Sequence, residues 1–124
     1  MKHIIQEDDN GCGVACVAML ADVSYGTARK AMFGLGDVRE TSTADLRKAL
    51  LAFSLKPADR LVPLRTRHYS SLREPAILKA NLRKRNYWHW VVWNPNQGIL
   101  DPDKPCNRYK RLRPISYLTV SSGR

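Results

Sequence analysis

From Cys12 to Ala21 the chain runs almost without a polar side chain, after a short lead-in, His3-Ile4-Ile5, and a turn at Asn10-Gly11. A helix that lacks a polar face is buried on all sides, so this segment is predicted as a helix at the centre of the molecule. Ser24 stands where it can cap a second helix of about ten residues that ends near Gly34. Thr41-Ser42-Thr43 then precedes a third helix, in which Leu46, Ala49, Leu50 and Phe53 fall on one face.

The second half changes period. Pro57, Pro63, Pro75, Pro95, Pro102, Pro105 and Pro114 punctuate it, which excludes long helices. Ala76 to Ala80 reads as a strand. Trp88 to Trp93, rich in aromatic and β-branched residues, reads as a central one. Alternation puts Trp88 and Trp90 on one face and His89, Val91 and Trp93 on the other. Asn94-Pro95-Asn96-Gln97-Gly98 is a turn signal, and Ile99-Leu100-Asp101 returns as the antiparallel partner. Ile115 to Val120 supplies a further strand. Helices first and an antiparallel sheet second predict an α+β fold.

Length and composition narrow the picture. At 124 residues the chain is expected to form a single domain, 1–124, and a hydrophobic content of 44% suffices for a core. No stretch is apolar enough to span a membrane. Met1 to Asn10 carries three acidic residues and no apolar h-region, unlike a secretory signal, so the cytoplasm is the expected compartment. The net charge of +10 is one-sided: residues 1–62 hold 8 basic and 8 acidic side chains, residues 63–124 hold 13 and 3. Such a half suits nucleic acid or an acidic protein as partner; it equally suits a solvated surface. Arg83-Lys84-Arg85 and Arg108, Lys110, Arg111 and Arg113 carry that same choice.

Three cysteines, an odd number, argue against a closed disulfide framework and leave free thiols, metal ligands or catalytic groups. Cys12 opens the buried helix, where unpaired amides and the helix dipole favour a thiolate. Gly11 and Gly13 flank it and allow close approach. Gln6, six residues upstream, could donate its side-chain amide to the same oxyanion as the Cys12 backbone N–H. The base must come from elsewhere. Of three histidines, His3 is near the start and His68 lies in a basic, loop-like stretch. His89 interrupts an apolar strand, and Asp101 on the return strand can reach its ring and set its tautomer. A packed core histidine is the bland alternative. Cys16, one turn after Cys12, reads as a small core residue and Cys106 as an incidental thiol. A zinc site from Cys12, Cys16, Cys106 and a histidine would rest on a single Cys-x3-Cys spacing, which is weak. No metal or other cofactor is expected.

Gln6, Cys12-Gly13 with Ala15-Cys16 and Met19 behind it, His89-Trp90-Val91-Val92 and Asp101-Pro102 together resemble the C39 peptidases, papain-like cysteine proteases known as bacteriocin-processing domains at the front of bacterial ABC exporters. The resemblance runs from Ile5 to Pro102. It implies a papain-like fold, a peptide or protein substrate, Cys12 as nucleophile, His89 as general base and acid, Asp101 as its orienter and Gln6 in the oxyanion hole. The family usually carries an aspartate just before the nucleophile, where this chain has Gly11, and a stand-alone domain without an attached exporter is expected. A transferase or deamidase could use the same chemistry. The competing expectation is an inactive module of this fold that binds nucleic acid or an acidic protein through its basic half.

Overall fold

The computed structural model describes residues 1–82, 87–103 and 112–122. Three helices come first: α1 (Cys12–Ala21), α2 (Tyr25–Phe33) and α3 (Thr43–Ala52). Each begins where the sequence supplies a reason. Ser24 accepts from Thr27 N at 3.1 Å and caps α2. Ser42 caps α3 in a reciprocal box, its hydroxyl accepting from Asp45 N while Asp45 accepts from Ser42 N, so two orphan amides are satisfied at once. α1 starts at Gly11 with no side-chain cap, and its first amides are left for other uses. Phe53, expected on the face of α3, is instead its C-terminal cap, half-buried against the same core.

The strands are β1 (Leu55–Pro57), β2 (Val62–Pro63), β3 (Ala76–Leu82), β4 (Tyr87–Asn94), β5 (Gly98–Leu100) and β6 (Leu112–Ser122), with a 3-10 turn at Tyr69–Ser71. They form an antiparallel sheet in the order β1-β6-β3-β4-β5, and β2 also pairs with β6. The α+β expectation therefore holds. Two details differ from it. The tryptophan-rich strand is next to the edge: β3 lines β4 throughout, but β5 covers only Val92 to Asn94. The last strand also starts earlier than Ile115. Its Pro114, which cannot donate to a ladder, is accommodated where the register slips between Lys79↔Ser116 and Ala80↔Pro114, a bulge that leaves Ile115 unpaired with β3.

The faces alternate as the sequence predicts. Trp90 and Val92 join Ile77, Leu118 and Val120 beneath the helices, against Val14, Val17, Ala18, Leu46 and Leu50. Val91 and Trp93 pack on the opposite face with Leu72, Ala76 and Leu78. α1 is buried from Gly13 to Met19, and each Val, Leu or Met so enclosed contributes roughly 1.5–3 kcal/mol relative to exposure. Trp90 and Trp93 are core residues whose polar atoms are satisfied: Trp90 Nε1 donates to Thr41 O at 3.1 Å and Trp93 Nε1 to Leu72 O at 3.0 Å; Trp88 is half-buried against the helical core. Arg83, Lys84, Arg85, Cys106, Arg108, Lys110 and Arg111 lie outside the described residues; Arg113 is exposed on β6. Among the described residues no helix is long and apolar enough to cross a membrane.

The lead-in is not a loose end. Its backbone and side chains are tied along the β4–β5 hairpin: Gln97 Nε2 donates to Met1 O at 2.8 Å, the His3 ring bonds Asp101 O, and Gln6 N donates to Pro102 O at 2.7 Å.

Candidate active site

β4 and the return strand bring the imidazole and carboxylate together. The register pairs Val92 with Leu100, so Asp101 follows directly, and His89 Nε2 meets Asp101 Oδ1 at 2.6 Å. Asp101 Oδ1 also accepts from Asp103 N at 2.9 Å, while Oδ2 is buried with no hydrogen-bond partner among the described residues. α1 supplies the third group. The half-buried Cys12 thiol stands close enough to the His89 ring to favour its charged form. Thiol, imidazole and carboxylate are therefore brought near one another from three different elements.

His89 is 4% exposed. Burial works against a charged ring, yet the hydrogen bonds to Asp101 and to Cys12, reinforced by their charges, outweigh it and push the pKa from 6.5 up to about 9. The imidazolium is thus the favoured form at neutral pH. Cys16 behaves differently. It is fully buried, and desolvation raises its pKa well above the ordinary thiol value; it is a core residue, as expected. Among the described residues no group of three or more His, Cys, Asp or Glu is arranged to hold a metal ion. His68 caps the 3-10 turn, its Nδ1 bonding Ser70 Oγ and Ser70 N.

Gln6 lies in the loop that leads into α1, but its amide is engaged locally. Nε2 donates to Asp8 O and Asp9 O, each at 3.0 Å, and Oε1 is buried with no hydrogen-bond partner among the described residues. Asp8 O also accepts from Gly11 N at 3.0 Å. The Gln6 amide and the Gly11 N–H thus converge on one carbonyl. Sequence reasoning missed what surrounds this loop. Tyr25 and Arg29, one turn apart on α2, both reach Asp8 Oδ2, at 2.6 and 3.3 Å. Their spacing is visible in the sequence, but nothing local announces that a carboxylate 17 and 21 residues upstream is their partner. His3, set aside as a terminal residue, bonds the Asp101 carbonyl. A groove of about 490 Å³ lies between the lead-in and the α1–α2 corner, lined in part by Ile4, Met19, Val23 and Tyr25; it includes none of Cys12, His89 and Asp101.

No family model matches the chain, and no curated protein matches it in sequence. Solved structures do match in fold. One is a double glycine motif protease from an AMS/PCAT transporter in complex with the leader peptide, with TM-score 0.65 and 20% identity, covering 98% of this chain and 91% of the other. Another is the peptidase domain of Streptococcus ComA, a bi-functional ABC transporter involved in quorum sensing, with TM-score 0.68 and 18% identity, covering 96% of each chain. The fold is therefore that of the C39 peptidase domains, a papain-like arrangement of helices on an antiparallel sheet, matched over nearly the whole chain.

Proposed function

We propose that this protein is a cysteine peptidase acting on a peptide or amide bond. The observation that carries the proposal is the buried His89 ring, bonded to the Asp101 carboxylate at 2.6 Å and influenced by the nearby Cys12 thiol. Cys12 is the nucleophile. His89 takes the thiol proton, and the thiolate attacks the carbonyl carbon to form a tetrahedral oxyanion. The C–N bond then breaks, His89 gives its proton to the leaving amine, and a thioester remains. Water, deprotonated by His89, attacks the thioester; the acid leaves and the thiol is restored. Asp101 fixes the ring's orientation and stabilises the imidazolium in both halves of the cycle.

The Cys12 backbone N–H and Gln6 are assigned to the oxyanion. Both Gln6 Nε2 hydrogens serve neutral carbonyls in the free protein, so Gln6 must exchange one of them when substrate reacts. An oxyanion is the better acceptor, since charge-assisted hydrogen bonds are roughly twice as strong as neutral ones. The leader peptide bound to one neighbour of this fold supports a peptide as substrate.

Alkylation by iodoacetamide, followed at each cysteine by mass spectrometry across pH, tests the proposal in the native protein and in His89→Ala. Cys12 should react fast near pH 6 and lose that reactivity in His89→Ala. An ordinary thiol profile, indifferent to His89, would refute it.

A further inference from the structure

The loop from Gln6 to Gly11 carries one assigned oxyanion donor and delivers the other, and its shape rests on Asp8. The backbone carbonyl of Asp8 holds Gln6 Nε2 and Gly11 N, each at 3.0 Å. Its carboxylate is held by α2, through the Tyr25 hydroxyl at 2.6 Å and Arg29 Nε at 3.3 Å. Tyr25 is 4% exposed. Burial and its hydrogen bond to Asp8 hold the phenol protonated well above its ordinary range, so it donates at every working pH. The fit is close: a Cβ on Gly11 would come within 2.1 Å of the Tyr25 hydroxyl and 3.0 Å of Asp8 O. The residue before the nucleophile is therefore glycine because Tyr25 occupies the space a side chain would need. Among the described residues Gln6 Oε1 has no hydrogen-bond partner, so the Asp8 and Asp9 carbonyls set the direction of that amide.

We propose that Asp8, Tyr25 and Arg29 form a positioning cluster that clamps this loop to α2 and sets where the Gln6 amide and the Cys12 N–H stand relative to the reacting carbonyl. None of the three touches substrate. The proposal rests on the peptidase assignment and specifies which residues make its oxyanion site competent. A misplaced donor slows reactions that pass through a tetrahedral oxyanion. It leaves untouched a displacement at an alkyl carbon, which forms none.

The full chain is treated with two probes, iodoacetamide and p-nitrophenyl acetate, and modification of Cys12 is read by mass spectrometry. Tyr25→Phe removes the hydroxyl and keeps the ring. Its alkylation rate at pH 6 should stay within about twofold of the parent, while acylation of Cys12 falls about tenfold. Arg29→Gln, at a side chain 31% exposed and so safe for folding, should shift the same ratio in the same direction by a smaller factor. Equal losses with both probes would mean a general disturbance of the thiol and would overturn the proposal, as would unchanged rates with both. If parental Cys12 shows only an ordinary thiol profile with iodoacetamide, the peptidase assignment itself fails and this proposal falls with it.

Discussion

Replacing Asp101 by asparagine separates the charge facing His89 from the hydrogen bond. The amide oxygen can still accept from His89 Nε2 and from Asp103 N, the two contacts now made by Oδ1. The amide nitrogen takes the place of Oδ2, which already lacks a partner among the described residues. What disappears is the negative charge. The displacement of the His89 pKa from 6.5 to about 9 corresponds to roughly 3 kcal/mol in favour of the protonated ring, at about 1.4 kcal/mol per unit. Two partners supply it, Asp101 first and Cys12 second, each through a hydrogen bond and a charge. Asp101 is the first-named of the two favourable partners, and together they offset burial, the largest opposing cause, so removing its charge should lower the His89 pKa. Burial opposes the charged ring throughout, and in Asp101→Asn less remains to offset it.

The His89 titration should accordingly move down, toward the ordinary imidazole range. NMR titration of the His89 ring Cε1–H, assigned by single substitution of each histidine, measures this directly. Alkylation of Cys12 near pH 8 should slow in the same variant, because less imidazolium is then present to pair with the thiolate. A His89 midpoint that coincides with the parent, or rises, would show that Asp101 does not stabilise the charged ring. The reasoning from the 2.6 Å contact would then be wrong.

The same linkage gives a stability profile. The folded ring holds its proton to about pH 9 and the unfolded ring to about 6.5, so this group's contribution is complete below pH 6.5 and is lost as pH rises to 9. Urea unfolding should show about 3 kcal/mol less stability from this source across that window, and a flat profile would count against it. Gly13→Ala places a Cβ 2.0 Å from Thr41 Oγ1 and should destabilise by about 1–3 kcal/mol; adding Thr41→Ala should recover part of that loss, and strict additivity in thermal melts would refute the clash. Ser42→Ala breaks the capping box of α3 and should cost about 1 kcal/mol in urea unfolding.

Helix starts were legible because each rests on local chemistry: Ser24 and Ser42 cap the helices they precede, and the apolar run after Gly11 is buried as its composition requires. Cys12, His89 and Asp101 stood out for a related reason. A thiol at a helix start and an ionisable residue inside an apolar strand both call for explanation within a few residues of sequence. β1, β2 and the path of β6 did not stand out. They are short, or carry a proline, and depend on pairing with residues far along the chain. Pro114 in particular reads as a strand stop, and only the bulge against Lys79 and Ala80 lets the strand pass through it. Gln6 was legible as a residue but not as a geometry, since its amide direction is set by the carbonyls of Asp8 and Asp9.

The candidate site joins two parts of the fold. Gln6 and Cys12 belong to the helical half, whereas His89 and Asp101 belong to the β4–β5 hairpin, whose short β5 pairs only with Val92 to Asn94 of β4. The lead-in links them. His3 bonds the carbonyl of Asp101, and Gln6 N donates to the carbonyl of Pro102, so the backbone carrying the carboxylate is tied to the backbone carrying Gln6. Pro102 is buried and has no N–H of its own, which leaves its carbonyl as the available backbone contact at that point. α1 and β4 share one core, and the lead-in from His3 to Gln6 adds a second tie between the helical half and the hairpin. In the proposed mechanism proton transfer and oxyanion binding thus share one structural support, which is why the two probes that separate them chemically are needed to tell their residues apart.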